Sequence, residues 1–169
     1  PGAILEFGVH EAKSLNMIAE AFPDQTVHGF DSFEGLPTDW AISEAKVRKA
    51  GHFKLDELPK VKDNVVLWGG WFKDSIGRYL KDNKRQISFL HIDGDLYSSC
   101  IDVLYGLNEF IVKGTIIVFD EMYPWGRRDY PNWSQNEFKA TQEWVNDFDR
   151  EFVALYHSNS EQCSIRVEK

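Results

Sequence analysis

Carboxylates and glycines recur at matching places in this 169-residue chain, at or just after short apolar runs. Glu6 and Gly8 close the run AILEF, Asp31 follows TVHGF, and Gly69 and Gly70 follow VVLW. Asp93 and Asp95 follow ISFLHI, and Asp120 and Glu121 follow TIIVF. Carboxylate oxygens accept hydrogen bonds from hydroxyl groups and ligate hard cations, and a glycine lets backbone approach a ligand closely. Two adjacent strand ends bearing Asp93, Asp95, Asp120 and Glu121 can converge on one divalent ion, for which magnesium is the natural candidate. Such an ion would lower the pKa of a bound hydroxyl and aim its oxygen. The structural alternative is that Asp95 caps a helix starting near Ser98 and that Glu121 only rims a cleft.

The first strand and turn read Glu6-Phe7-Gly8-Val9-His10-Glu11-Ala12-Lys13. A dinucleotide-binding GxGxxG pattern would need glycines where His10 and Lys13 stand, so pyrophosphate binding is disfavoured. Asp31, ending the next strand, can accept the hydroxyl hydrogens of a ribose. A nucleoside without pyrophosphate points to S-adenosylmethionine. The plainer alternative makes Gly8 a turn glycine and Asp31 a strand-end cap.

The elements that must position these groups alternate strand and helix, the pattern of βαβ units and a parallel sheet. Strands are expected at Ala3 to Phe7, Thr26 to Phe30, Val65 to Trp68, Ile87 to Ile92 and Thr115 to Phe119. The fourth and fifth, continuously apolar, belong in the middle of the sheet. Helices follow from apolar spacing: Leu15, Ile18, Ala19 and Phe22; Phe72, Ile76, Tyr79 and Leu80; Ser98 to Val112, closed by Gly114; and Phe138, Trp144, Val145 and Phe148. The charged stretch Ser32 to Lys62 reads as an excursion with a short helix around Ser43 to Lys49. The last two strands, Glu151 to His157 and Gln162 to Val167, are too close for a crossover and must pair antiparallel. In such α/β sheets, ligands bind at the carboxyl ends of the strands, where all the acidic residues above fall.

Composition narrows the function. Twenty-seven acidic against nineteen basic residues give a net charge of −8, with no clustered Lys/Arg stripe, which excludes a dedicated nucleic-acid surface. No apolar run approaches the ~20 residues of a membrane helix, so no membrane partner is expected. Cys100 and Cys163 lack metal-type spacing, which favours a reducing, cytoplasmic setting.

The segments LEFGVHEAKSL, HGFDSFEGLP, VLWGGWFKDSI, FLHIDGDLYSS and GTIIVFDEMY, with EFKATQEWV and EQCSIRV, span essentially the whole chain. In that order they resemble the class I S-adenosylmethionine-dependent methyltransferases of the macrocin O-methyltransferase-like (TylF-like) group. The resemblance implies a Rossmann-like doubly wound sheet of seven strands in order 3-2-1-4-5-7-6, with strand seven antiparallel. It implies that Glu6, Gly8 and His10 line the methionine and ribose portion of the cofactor, that Asp31 takes the ribose, and that Ser32 and Phe33 flank the adenosine. Gly70, Trp71 and Phe72 fall near the adenine. Asp93, Asp120 and Glu121 match the positions that hold a divalent metal in such enzymes, and Asp93 also borders the cofactor and the reaction. His52 lies in the region from which macrocin-type enzymes supply a base, with Asp93 or the metal as a substitute. His28, His91 and His157, inside strands, read as packed and hydrogen-bonded. The departure is Ala12-Lys13, where relatives carry glycine.

The expected reaction is methyl transfer to a hydroxyl of a small molecule or glycoside, Mg²⁺ standing as an open alternative to metal-free transfer. The aromatic loop Tyr123 to Trp133, with Arg127 and Arg128, suits a sugar-containing or anionic acceptor or else packs internally. A noncatalytic adenosyl-binding domain and an NAD(P)-dependent reductase are the rivals. With the first strand at Ala3, residues 1–169 are expected to form a single catalytic core whose N-terminal helices are absent or trimmed. That would leave the pocket open on one side or closed by another copy in a homo-oligomer.

Overall fold

The computed structural model describes residues 2–124 and 130–169. Trp125, Arg127 and Arg128 of the expected acceptor loop therefore lie outside the described residues.

Nine strands, four α-helices and a short 3₁₀ helix (Trp133–Gln135) follow in chain order among the described residues. The strands are β1 (Ala3–Phe7), β2 (Val27–Asp31), β3 (Trp40–Ser43), β4 (Lys46–Arg48), β5 (Val65–Gly69), β6 (Ile87–Ile92), β7 (Ile111–Phe119), β8 (Phe152–His157) and β9 (Cys163–Val167). The helices are α1 (Lys13–Ala21), α2 (Phe72–Asp82), α3 (Tyr97–Gly106) and α4 (Glu137–Asp147). The main sheet runs β5-β2-β1-β6-β7-β9-β8. Its first five strands are parallel, and β9 is antiparallel to both β7 and β8. With the β3–β4 excursion set aside, this is the order 3-2-1-4-5-7-6 expected above.

Alternation within β1 shows how the sheet is held. Ala3, Leu5 and Phe7 enter a large core with Cys100, Val103, Leu104 and Trp144 of α3 and α4, whereas Ile4 joins Leu15 and Ala19 of α1 on the other face. All five β1 residues are buried. Each fully buried Leu or Phe contributes about 2–3 kcal/mol, so β1 is fixed in register and delivers Gly8 and the following turn to one rim.

Three local expectations need correction. The helix at Ser43 to Lys49 is instead the β3–β4 hairpin, because Trp40 and Ile42 alternate into a small core with Leu36, Leu96 and Tyr130. The helix from Ser98 stops at Gly106, and Gly114 lies inside β7 at φ +93° rather than closing a helix. There the Thr115 hydroxyl accepts from Val112 N–H and donates to the Ile87 carbonyl, which secures the irregular strand start. Finally, His157 is exposed rather than packed, its Nδ1 3.0 Å from the Ser158 carbonyl. His28 and His91 do pair internally, with Trp68 and Glu6 respectively.

Both cysteines are free and buried. Among the described residues no helix is long and apolar enough to cross a membrane.

Candidate active site

An open cleft of about 910 Å³ lies at the carboxyl ends of β1, β2, β5, β6 and β7. This is within the range of small-molecule sites. One end is the turn after β1. Gly8 adopts φ +95°, and a Cβ there would sit 1.7 Å from the Asp93 carbonyl oxygen. Glycine is thus demanded by the contact between the β1 and β6 turns, which joins the two ends of the cleft. Asp31, at the end of β2, clamps the same turn: its Oδ2 accepts from Val9 N–H at 2.9 Å and His10 N–H at 2.8 Å, and Oδ1 accepts from Phe33 N–H at 2.7 Å. A carboxylate has about four lone-pair positions, so about one remains, directed to Oδ1's open side.

His10, Phe53 and Asp95 line the cleft with φ of 45°, 73° and 60°. Left-handed backbone costs a non-glycine residue roughly 1–2 kcal/mol and persists where the surroundings enforce it, commonly at ligand sites. Ala12, at the start of α1, also has φ 60°.

The other end is acidic. One carboxylate oxygen from each of Asp93, Asp95 and Glu121 lies within 4.8 Å of the others. Asp120 lines the same cleft, with its Oδ1 accepting from Gln162 Nε2 at 3.2 Å. Asp95 is not a helix cap: α3 starts after Leu96 with no side-chain cap bond. Burial, then repulsion from neighbouring carboxylates, pushes Asp93 and Glu121 well above the usual carboxylate range. Burial also lifts Asp95, to about 7, against the opposing charge of Arg48. Glu121 Oε2 is buried without a hydrogen-bond partner among the described residues. Clustered, all-oxygen, partly unsatisfied carboxylates are stable only with protons or a cation between them, and this donor set fits a hard divalent ion such as Mg²⁺.

The cleft therefore brings together Gly8, His10, Asp31, Ser32, Trp71 and Phe72, and with them Asp93, Asp120 and Glu121. Four expected residues do not line it. Glu6 is fully buried with Oε1 2.8 Å from His91 Nδ1, Phe33 packs in the α1 core, Gly70 packs beneath the Arg78 guanidinium, and His52 is exposed with its ring against Phe53. Sequence reasoning missed Arg48, whose guanidinium lies 5.0 Å from the Trp40 ring centre and 4.8 Å from that of Phe53. It also missed Ser98, Ser99 and Asp102 of α3 on the cleft wall. A strand reading of residues 40–48, with period-two Trp40 and Ile42, would have found Arg48.

A mostly parallel seven-stranded sheet with this order, an antiparallel strand near one edge and a cleft at the carboxyl ends defines the Rossmann-like methyltransferase fold. The calicheamicin methyltransferase CalS11 superposes with a TM-score of 0.75 at 24% identity, over 98% of this chain and 72% of that one. A mycinamycin-pathway methyltransferase, MycE, solved with Mg and S-adenosylhomocysteine (SAH), gives 0.61 at 16% identity, over 99% of this chain and 45% of that one. The chain belongs to the Macrocin-O-methyltransferase (TylF) family, whose model matches residues 1–150. It is 28% identical over 145 residues to demethyldecarbamoylnovobiocin O-methyltransferase of Streptomyces niveus, covering 72% of this chain and 53% of that protein. It is 29% identical over 146 residues, with the same coverages, to a rhamnosyl-tetracenomycin-C 4'-O-methyltransferase of Streptomyces olivaceus. The chain thus spans about half the length of these relatives.

Proposed function

We propose that the protein transfers the methyl group of S-adenosylmethionine to a hydroxyl of a sugar-bearing small molecule, with a divalent cation at the acidic end of the cleft. The observation that carries this reading is the abutment of Gly8 on the Asp93 carbonyl, which sets a nucleoside-type turn against the carboxylates that can handle a hydroxyl. Family membership supports the methyl donor, and the named substrates of the curated relatives support the acceptor class. The two free thiols suit a reducing cytoplasm.

The residues divide the work by position. Asp31, oriented by the Val9 and His10 amides, offers its remaining acceptor position to the ribose, and Trp71 and Phe72 offer flat apolar surface to the adenine. The methyl leaves a sulfonium as the acceptor oxygen attacks in line, so the chain must hold oxygen and carbon in near-attack geometry and take up the hydroxyl proton. Asp93 and Asp95, clustered at the acidic end, are the proposed acceptors of that proton, whereas His52 is off the cleft lining with its ring against Phe53. Asp93, Glu121 and either Asp95 or Asp120 would hold the cation, whose chemistry is to acidify and orient the bound hydroxyl. Isothermal calorimetry tests the reading: SAH should bind saturably, one per chain, and NAD(H) should not. Binding of NAD(H) with no SAH heat would overturn it.

A further inference from the structure

Gln162 does not line the cleft, and in sequence it is an ordinary polar residue just before β9. In the fold it stands across from Asp120. β9 pairs antiparallel with β7 from Ile116–Arg166 to Phe119–Cys163, so the next step of the same register sets Gln162 against Asp120. The Gln162 amide donates from Nε2 to Asp120 Oδ1 at 3.2 Å.

That amide is itself held. The Ser158 hydroxyl donates to Gln162 Oε1 at 2.7 Å, which leaves the NH₂ end to face Asp120. Ser158 Oγ also accepts the Ser160 N–H at 3.1 Å and the Gln162 N–H at 3.2 Å, and the Ser158 N–H donates to the Gln162 carbonyl at 3.0 Å. The turn between β8 and β9 is thus closed by its own bonds and owes nothing of its shape to Asp120. Asp120 in turn has its backbone fixed from the other side, where its N–H donates to the Ile92 carbonyl of β6 at 3.0 Å. What the Gln162 contact adds is the direction of one carboxylate.

Direction matters there because Asp120 shares the acidic end of the cleft with Asp93, Asp95 and Glu121, and like charges push a free side chain away. With Oδ1 engaged by Gln162, Oδ2 is the oxygen left for the cleft that Asp120 lines. An amide donor orients the carboxylate without cancelling the negative charge that a cation needs, which a lysine or arginine in its place would do. We infer that Gln162, held by Ser158, is a positioning residue that aims the Asp120 carboxylate into the acidic end of the cleft and so raises its affinity for the divalent cation. The cation half of this inference rests on the function proposed above. The chain of bonds from Ser158 through Gln162 to Asp120 does not.

A double-substitution cycle tests it, because Ser158 acts on the cation only through Gln162 and their effects should not add. Mn²⁺ binding is followed by electron paramagnetic resonance, and SAH affinity by calorimetry serves as the control for a folded cofactor end. Gln162→Ala should weaken Mn²⁺ at least fivefold and Ser158→Ala at least threefold, while the double variant stays within twofold of Gln162→Ala. Ser158→Thr, which keeps the hydroxyl, should stay within twofold of the parent, and SAH affinity should stay within twofold in all four. In the metal-free protein, the side-chain amide protons of Gln162, followed by NMR, should exchange at least fivefold faster in Asp120→Ala. Parental Mn²⁺ affinity in Gln162→Ala, additive losses in the double variant, or a fall in SAH affinity that parallels the loss of Mn²⁺ would each overturn the inference. So would parental exchange of the Gln162 amide in Asp120→Ala. Failure of the unsubstituted protein to bind Mn²⁺ would contradict the cation reading instead, and the exchange rates would still decide whether Gln162 holds Asp120.

Discussion

Asp31 clamps a turn and, in the proposed function, also holds a ribose, and a pair of substitutions can pull the two apart. Its three acceptor contacts, at 2.9, 2.8 and 2.7 Å, tie the turn after β1 to the end of β2. Hydrogen bonds to a charged group each contribute about 1.5–3 kcal/mol, but these sites are only partly buried and water can replace the acceptor. The combined loss in Asp31→Ala is therefore close to that of a single such bond, about 2–3 kcal/mol in urea unfolding. Asp31→Asn keeps one oxygen and faces the remaining N–H with an amide donor, which lowers the figure to about 1–2 kcal/mol. The ligand effect is separate, because in the proposed function the remaining acceptor position serves the ribose. SAH affinity by calorimetry should fall at least tenfold in both variants, about 1.4 kcal/mol. If SAH affinity in Asp31→Asn stays within twofold of the parent while the unfolding free energy drops, Asp31 is a turn clamp and the ribose assignment fails. If unfolding is unchanged in Asp31→Ala, the three contacts themselves are refuted.

Other consequences can be checked in the same assays. Gly8→Ala adds a left-handed backbone penalty to a Cβ 1.7 Å from the Asp93 carbonyl oxygen, so it should destabilise by about 3 kcal/mol or more in urea, and a change under 1 kcal/mol would contradict the β1–β6 contact. Tyr130→Phe leaves Trp40 Nε1 and Asn136 Nδ2 without their shared buried acceptor and should cost about 2 kcal/mol in unfolding, whereas an unchanged curve would argue against this link between hairpin and α4. Mg²⁺ or Mn²⁺ at 100 times its dissociation constant contributes about 2.7 kcal/mol, which for 169 residues raises the thermal midpoint by roughly 5–10 °C, an effect that Glu121→Gln should largely abolish. No midpoint shift with either ion would remove the cation from the account.

The parts of this molecule legible in its sequence are those governed by local periodicity. The buried strands AILEF, ISFLHI and TIIVF announce themselves by unbroken apolar runs, and the rim acids follow at their ends. The β3–β4 hairpin does not, because Glu44, Ala45 and Lys46 favour helix while the burial of Trp40 and Ile42 that decides the matter depends on Leu96 and Tyr130, distant in sequence. Gly114 resembles a helix stop for the same reason: a glycine's positive φ is visible locally, but the bulge at the β7 start that uses it is set by pairing with β6. Within the site, Asp31, Asp93 and Glu121 could be placed from strand ends alone. Glu137 and Arg48 could not, since Glu137 accepts the backbone N–H of Glu121 from a different element and Arg48 meets the Trp40 and Phe53 rings only once residues 40–48 pair as a hairpin.

The central claim is that one cleft holds an adenosyl cofactor at the β1–β2 rim beside a divalent ion at the β6–β7 rim. A crystal structure of the protein grown with SAH and Mn²⁺, with anomalous data collected for manganese, tests it directly. The account predicts SAH density with its ribose against Asp31 and an anomalous peak among Asp93, Glu121 and the flanking carboxylates. A cleft whose SAH density lies elsewhere, or an anomalous map with no peak at those oxygens, would contradict it.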